Sequence, residues 1–440
     1  MKFTKFGKAL LISALSAGVI FSVTSCIQDY SVGYLYVTGT VTAETSGNGI
    51  VSGFKIDHNT GFLTPINGMP VSSGGANPGR AVLVQSSRFF YVLNQGLNAQ
   101  GGTTCTAANP CLNSNITAFA VGGNGILTPQ GPPYYTQGIN PFRLIADTTG
   151  SYLMALDQEA PSNAACSLAL GSSATTCADI TIFQVNQNTG RLTLVPNAQL
   201  SSASGSSINY FPVPSNPIDF VLASNVIFTL YGTPATGDYV YPYTYSTSSG
   251  QLTETQNSPQ PLNIAQATAL VSSNGVLYVL DNEAPNPNPN KATSQILPFL
   301  AVVNGSLDAQ TGGAIADDPD LSNPIYLLVE SKGKFLYVAN QGNNTLGVNA
   351  NSGIAGYFIT TTPSWATTPL TPQTYGTGSG PQCLVEDPSD QFIYTANFND
   401  SSITGRAIDV NDGVLNPLNV ANSYKLPGQA NWCLVDGRTD

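Results

Sequence analysis

The sequence predicts an all-β fold, a seven-bladed β-propeller of four-stranded antiparallel blades, on three observations. Only 9% of the 440 residues are charged, whereas glycine (43) and proline (30) are abundant. One short aromatic strand recurs seven times along the chain. Its first copy has no strand in front of it, and the final residues form a strand that belongs to no later blade.

The composition disfavours long helices. Amphipathic helices need charged outer faces, and a typical globular protein is about 25% charged. Short strands joined by uncharged turns are therefore expected. The formal net charge of −11 repels phosphate backbones, and no basic stripe compensates for it, so a nucleic-acid partner is not expected.

The aromatic strand organises the repeat. Its copies mix aromatic and β-branched residues, as half-buried strands do. The seven copies are YLYV from Tyr34, FFYV from Phe89, YLMA from Tyr152, VIFT from Val226, VLYV from Val276, FLYV from Phe335 and FIYT from Phe392. A strand that ends in a Gly-containing hairpin, such as FKIDHNTGFL from Phe54, follows most copies. An apolar strand, often opened by proline as in NPGRAVLVQ from Asn77, precedes them.

The two ends of this repeat predict how the ring closes. Blade one starts directly at its aromatic strand, residues 34–37, without an inner strand before it. The last residues, QANWCLVDG from Gln429, read as an inner strand without a following blade. We expect this strand to complete blade one non-covalently. The predicted propeller therefore covers residues 34–440.

The N-terminal residues 1–25 are expected to be a signal peptide, followed by a linker at 26–33. Lys2, Lys5 and Lys8 precede an apolar stretch, and small residues precede Cys26. This resembles a bacterial lipoprotein signal, in which Cys26 is acylated. An ordinary secretory signal remains the alternative. We expect an extracytoplasmic, membrane-anchored lipoprotein, at the outer membrane or the periplasmic face, that is monomeric.

Six cysteines remain when Cys26 is set aside, an even number that suits an oxidising compartment. Two pairs bracket short loops and are expected to bond locally, whereas the third pair lies on neighbouring inner strands. The pairs are Cys105 with Cys111, Cys166 with Cys177, and Cys383 with Cys433. For the third pair, a disulfide across the closure and two buried free thiols are both open. A metal site is not expected, because these cysteines lack CxxC spacing and His58 is the only histidine. No cofactor is expected either.

The motifs YVLN from Tyr91 and YVAN from Tyr337, together with the repeated hairpins, resemble the seven-bladed lactonase-type propellers. That family includes 6-phosphogluconolactonase and carboxymuconate-cyclase-like proteins and is related to YVTN-repeat surface proteins. The resemblance implies a Pro-Arg-His opening on an inner strand and an Asn-Glu pair after an aromatic strand. Here Gln382-Cys383 replaces the Arg-His pair, whereas Asn282-Glu283 matches the Asn-Glu pair.

Candidate site residues follow from the topology, because inner strands start and aromatic strands end around the mouth of the central channel. Opening a lactone needs a base and a donor for the oxyanion. The candidate catalytic residues are Glu283, Glu159, Arg80 and Arg143, and the candidate ligand-binding residues are Asp157, Asp281, Gln382 and Asn431, the two aspartates being further candidate bases. The alternative is that the Asn and Asp residues at strand ends cap backbone amides.

Two functional hypotheses follow. The one that the low charge and the missing Arg-His pair favour is a cell-envelope binding or scaffold protein, which holds a small carbohydrate-derived ligand, a glycan or an envelope protein at the channel mouth. The alternative, which the family resemblance favours, is a hydrolase that acts on a sugar-derived lactone. Fold alone does not decide between them.

Overall fold

In the computed structural model, seven antiparallel sheets are arranged as the blades of a propeller. The structure describes residues 30–41, 48–84, 88–106, 108–202, 205–232, 237–264, 266–273, 275–282, 294–310, 313–342, 351–360 and 367–437. The predicted signal peptide and Cys26 lie outside these residues. Within the described part of the chain, no helix is long and apolar enough to cross a membrane.

The elements follow the predicted order of inner strand, aromatic strand, third strand and outer strand. Blade one holds β1 (Ser31–Val41), β2 (Asn48–Asp57), β3 (Leu63–Pro65) and β4 (Val71–Ala76). Blade two holds β5 (Pro78–Val84), β6 (Phe89–Asn94), β7 (Asn115–Val121) and β8 (Leu127–Pro129). Blade three holds β9 (Ile139–Ala146), β10 (Tyr152–Glu159), α1 (Asn163–Leu170), β11 (Ala178–Val185), β12 (Leu192–Leu194) and β13 (Phe211–Val213).

The remaining blades repeat this arrangement. Blade four holds β14 (Pro217–Ala223), β15 (Val226–Tyr231), β16 (Tyr239–Tyr245), β17 (Leu252–Glu254) and β18 (Gln260–Pro261). Blade five holds β19 (Ala267–Ser273), β20 (Val276–Asp281), β21 (Gln295–Ala301), β22 (Leu307–Ala309) and β23 (Ile315–Ala316). Blade six holds β24 (Pro324–Val329), β25 (Phe335–Asn340), β26 (Gly353–Ile359) and β27 (Thr367–Tyr375). Blade seven holds β28 (Val385–Glu386), β29 (Phe392–Asn397), β30 (Ser402–Ile408), β31 (Leu415–Pro417) and β32 (Ser423–Lys425).

The predicted closure is confirmed. The C-terminal strand β33 (Gly428–Asp436) pairs antiparallel with β1, with Leu434 opposite Tyr36 and Cys433 opposite Val37. It thus supplies the inner strand that blade one lacks. Two details were not predicted: short additional strands such as β4 pair with the third strand of several blades, and α1 interrupts blade three.

Neighbouring blades are joined by a contact that links the two halves of the sequence repeat. The hydroxyl of Tyr91 on β6 donates to the carbonyl oxygen of Gly190, in the hairpin of the next blade, at 2.6 Å. Gly190 has a φ of +67°, and a Cβ there would lie 2.5 Å from the ring of Phe89. Equivalent tyrosine-to-glycine bonds are Tyr36 to Gly125, Tyr337 to Gly413 and Tyr394 to Gly61. The aromatic strand of one blade therefore packs against the hairpin of the next, and it leaves room there only for glycine.

All three predicted disulfides are present. Cys105–Cys111 and Cys166–Cys177 close short loops, with Cα–Cα distances of 5.3 and 5.5 Å. Cys383–Cys433 joins the inner strands of blades seven and one, at a Cα–Cα distance of 5.8 Å. Of the two possibilities left open for this last pair, the disulfide is the one that forms. It bonds the last blade to the strand that closes the ring.

Candidate functional site at the channel mouth

The strand registers define one equivalent position on each inner strand, which we call the axial position because the inner strands surround the central channel. Proline pairs with the last residue of the aromatic strand in several blades, as Pro78 does with Asn94 and Pro217 with Tyr231. The residue two places after this point is the axial position of the blade. The seven axial residues, in blade order, are Trp432, Arg80, Arg143, Asp219, Ala269, Tyr326 and Cys383.

A cavity of about 420 Å³ opens beside this ring of axial residues. Its lining comes mainly from the starts of the inner strands and the ends of the aromatic strands, which places it at the mouth of the central channel. The polar lining residues are Thr40, Asn77, Arg80, Gln95, Thr103, Arg143, Thr268, Gln341, Gln382, Gln429 and Asn431. Four predicted site residues are thus brought together here: Arg80, Arg143, Gln382 and Asn431.

Arg80 and Arg143 share one buried carboxylate. Arg80 Nη2 lies 3.0 Å from Asp219 Oδ2, and Arg143 Nε lies 3.1 Å from Asp219 Oδ1. The side chains of the arginines are 14% and 28% exposed, whereas that of Asp219 is fully buried. Blades two, three and four each contribute one member, so the pair of cations depends on the assembled ring.

Both guanidinium groups lie over the face of an aromatic ring. Arg80 lies over the ring of Trp432 at 4.9 Å, and Arg143 over the ring of Phe142 at 5.1 Å. Such cation–π contacts hold a guanidinium in place while its edge stays free to donate. Burial lowers the pKa of Arg143, Asp219 raises it again, and the charge of Arg80 lowers it; an arginine nevertheless keeps its charge near neutral pH.

Amide side chains make up much of the remaining rim. Asn431 Nδ2 donates to the carbonyl oxygen of Pro78 at 2.6 Å, which links blade one to blade two. Gln95 accepts from Asn77 at 3.2 Å, and Gln341 accepts from Asn323 at 2.7 Å. Amides both donate and accept, so this rim can bind the hydroxyl groups of a polyol.

The predicted Asp157 lies inside blade three rather than on the cavity lining. Its fully buried carboxylate accepts from Thr136 at 2.7 Å and from Thr181 at 3.2 Å. Asp179 lies beside it, and its Oδ2 accepts from the same threonine at 3.3 Å. Burial raises the pKa of Asp157 to about 7, and burial together with the charge of Asp157 raises the pKa of Asp179. The two carboxyl groups therefore hold a proton between them over much of the acidic range.

The other predicted acids are distributed as follows. Asp281 is buried in blade five, where it accepts from Gln295 at 2.8 Å. Glu159 is half-buried at the end of β10, opposite Ile139. Glu283 lies outside the described residues. Its neighbour Asn282 accepts from the backbone amide of Asn323 at 3.1 Å.

The strand-end asparagines Asn94 and Asn397 bond to a carbonyl oxygen and to polar side chains of their blades. Asn94 donates to the carbonyl oxygen of Ser73 and to Asn115, both at 3.0 Å. Asn397 donates to Ser402 at 3.0 Å. These amides tie connecting segments to the blade, which supports a structural role for them.

Sequence reasoning did not identify most of the lining residues, among them Trp432, Gln95 and Gln341. Trp432 was considered only as part of the closing strand, although its position two places after Ala430 is the axial one. Gln95 and Gln341 were not selected either. A signal for them exists, since both stand in the repeated tripeptide Asn-Gln-Gly directly after an aromatic strand. The shared salt bridge to Asp219 has no such signal, because its three residues come from different blades.

Comparisons with known proteins agree with this architecture. A protein-family model described as "Lactonase, 7-bladed beta-propeller" matches residues 304–431. A candidate 6-phosphogluconolactonase from Bacteroides fragilis is 15% identical, with a TM-score of 0.64 over 93% of this chain and 99% of that one. The periplasmic gluconolactonase of Pseudomonas aeruginosa is also 15% identical, with a TM-score of 0.61 over 91% and 98%.

A candidate 6-phosphogluconolactonase from Bacteroides uniformis is 13% identical, with a TM-score of 0.61 over 93% of this chain and 100% of that one. No curated protein matches the sequence. The chain is a β-propeller with a polar, arginine-bearing cavity on its axis. More specifically, it has seven blades, and residues 304–431 are similar to the lactonase-type propellers that its motifs resemble.

Proposed function

We propose that this protein is a hydrolase that opens a sugar-derived lactone at the channel mouth. The observation that carries the proposal is the pair Arg80 and Arg143, which line one axial cavity in a propeller of the lactonase type. Of the two hypotheses drawn from the sequence, the comparisons favour the hydrolase over the scaffold.

The proposed chemistry uses the arginines as electrostatic stabilisers. Water attacks the lactone carbonyl carbon, and the carbonyl electron pair moves to oxygen. The tetrahedral intermediate then collapses, the ring C–O bond breaks, and the proton taken from water ends on the released hydroxyl group. Donors aimed at the developing oxyanion supply the largest share of such catalysis, at about 10²–10³-fold per donor. The amides of the rim would hold the hydroxyl groups of the sugar.

The reaction also needs a base that takes a proton from the attacking water. We propose Glu283 for this role, with Glu159 as the second candidate. A base must come within about 3 Å of the attacking water, directly or through one more water. Glu283 immediately follows Asn282, which bonds to the chain at the start of blade six. The kcat of a Glu283→Gln variant tests this role.

The proposal is tested by following acid release in a pH-stat, with protein that starts at Ile27 and a panel of aldonolactones. Turnover above the uncatalysed rate is expected, with a loss of at least about 100-fold in kcat for Arg143→Gln and for Glu283→Gln. Arg191→Gln is the matched control, because Arg191 is exposed on a hairpin away from the cavity. Equal turnover in all four proteins would contradict a site at the channel mouth.

A binding protein is the second candidate. It is favoured by one observation: among the described residues, the cavity lining contains amides and arginines but no carboxylate. A folded protein that hydrolyses none of the lactones, yet binds aldonic acids or glycans in the same cavity, would support this candidate over the hydrolase.

The cellular location follows from the cysteines. Three disulfides are typical of an extracytoplasmic protein. We further propose that Cys26 is acylated and anchors the propeller to a membrane. Metabolic labelling with a fatty-acid analogue tests this, since a Cys26→Ala variant should lose the label. Labelling that persists in that variant would contradict the anchor.

A further inference from the structure

The net charge of the axial cavity depends on a residue that does not line it. Asp219 is fully buried and binds both lining arginines. It also accepts from its neighbour's amide, Phe220 N, at 3.0 Å, and from Leu270 N of blade five at 3.2 Å. Both carboxylate oxygens are thus engaged by partners from blades two to five. A carboxylate held in this way is an acceptor and a counter-charge, and has no oxygen left to act as a base.

The arginines keep donor capacity despite this pairing. The recorded bonds use Nη2 of Arg80, and Nε and Nη1 of Arg143, the last donating to the carbonyl oxygen of Phe142 at 3.3 Å. A guanidinium carries five N–H groups in a planar fork. Since both side chains are partly exposed to the cavity, the unused edges of the fork are available to a ligand.

The net charge of the cluster limits how much negative charge on a ligand this cavity can neutralise. Two arginines and one aspartate leave a single positive charge, and no other lysine or arginine of the described chain lines the cavity. A ligand with one negative charge balances the cluster. A second or third negative charge would lie among amides without a counter-ion, in a protein of net charge −11, and desolvating such a charge is costly.

We propose that Asp219 is the positioning residue that holds Arg80 and Arg143 as one unit of single positive charge, and that the cavity therefore selects ligands with one negative charge over phosphorylated ones. This inference rests on the proposed function for its setting, because one negative charge is what a lactone acquires in its oxyanion and keeps in the product carboxylate. Its test is a binding measurement that needs no turnover.

The probes are D-gluconate, with one negative charge, 6-phosphogluconate, with about two more, and D-glucose, with none. Titration calorimetry should show that gluconate binds the wild-type protein at least as tightly as 6-phosphogluconate. In Asp219→Asn the cluster gains one positive charge, so the preference should move by about tenfold or more towards 6-phosphogluconate. A merely structural role for Asp219 would weaken all three probes alike.

A second variant keeps the proposal testable if Asp219→Asn fails to fold. Arg143→Gln makes the cluster neutral, so gluconate affinity should fall about 10- to 100-fold while glucose affinity stays the same. Arg191→Gln changes the total charge equally and should alter neither the gluconate affinity nor the glucose affinity. Tighter wild-type binding of 6-phosphogluconate than of gluconate, or equal losses for gluconate and glucose in Arg143→Gln, would overturn the inference. If gluconate is selected but no lactone is hydrolysed, the proposed function fails and the inference stands.

Discussion

Replacing Cys383 and Cys433 together by alanine should lower the free energy of unfolding by about 4 kcal/mol. The disulfide joins residues 50 positions apart. Without it, the unfolded chain gains conformational entropy, and this gain grows with the logarithm of the loop length. The same relation gives about 3 kcal/mol for Cys166–Cys177, with a separation of 11. For Cys105–Cys111, with a separation of 6, it gives about 2 kcal/mol.

Equilibrium unfolding in urea, followed by tryptophan fluorescence, measures this series. Trp432 packs against the clusters on both sides of the closure, so its emission reports on the strand that Cys433 holds. Each double-alanine variant is compared with the oxidised wild-type protein, and the midpoints should fall in the order of loop length. If the free energy of unfolding falls no more in the Cys383/Cys433 variant than in the Cys105/Cys111 variant, the chain-entropy reasoning is wrong for this ring. Strand pairing between β1 and β33 would then hold the closure by itself.

Two further predictions concern the blades. Gly190→Ala should cost about 1–2 kcal/mol for its positive φ and a further 1–3 kcal/mol for overpacking against Phe89; Gly131→Ala, with a φ of +75° and open space around it, should show only the first cost in the same urea assay. Asp157 has its pKa raised to about 7 by burial beside Asp179, so the folded protein retains a proton that the unfolded chain releases near pH 4. The stability contributed by this pair is present at low pH and is lost as the pH rises towards 7. Asp157→Asn should flatten that decline when melting temperatures are measured from pH 4 to pH 8, and an unchanged slope would refute the shared proton.

Most of the fold could be predicted because each repeat contains local sequence patterns that indicate its strands and turns. The aromatic strand, the hairpin glycine and the proline-opened inner strand are local patterns, and the contact of Tyr91 with Gly190 makes two of them interdependent. The helix α1 was missed because it lies in the connection between β10 and β11, which the Cys166–Cys177 disulfide partly encloses and where the strand repeat gives no information.

The site was predicted less completely, for a geometric reason. Repeat alignment correctly put Arg80 and Arg143 at the channel mouth, since every inner strand starts at the same face. It also put Asp157 there, but at that strand end the backbone turns its side chain into blade three, towards Thr136 and Thr181. The salt bridges to Asp219 depend on distances across the axis between three blades. No pattern along a single strand contains that information.

The axial position also bears on how such a molecule can change over evolutionary time. It is occupied by six kinds of side chain in seven blades, with arginine twice, whereas the tyrosine-to-glycine contacts that join the blades lie elsewhere on the repeat. A substitution at Arg80 or Arg143 can therefore alter the cavity's chemistry while the tyrosine-to-glycine contacts stay in place, and among the contacts between blades it removes a bond to Asp219.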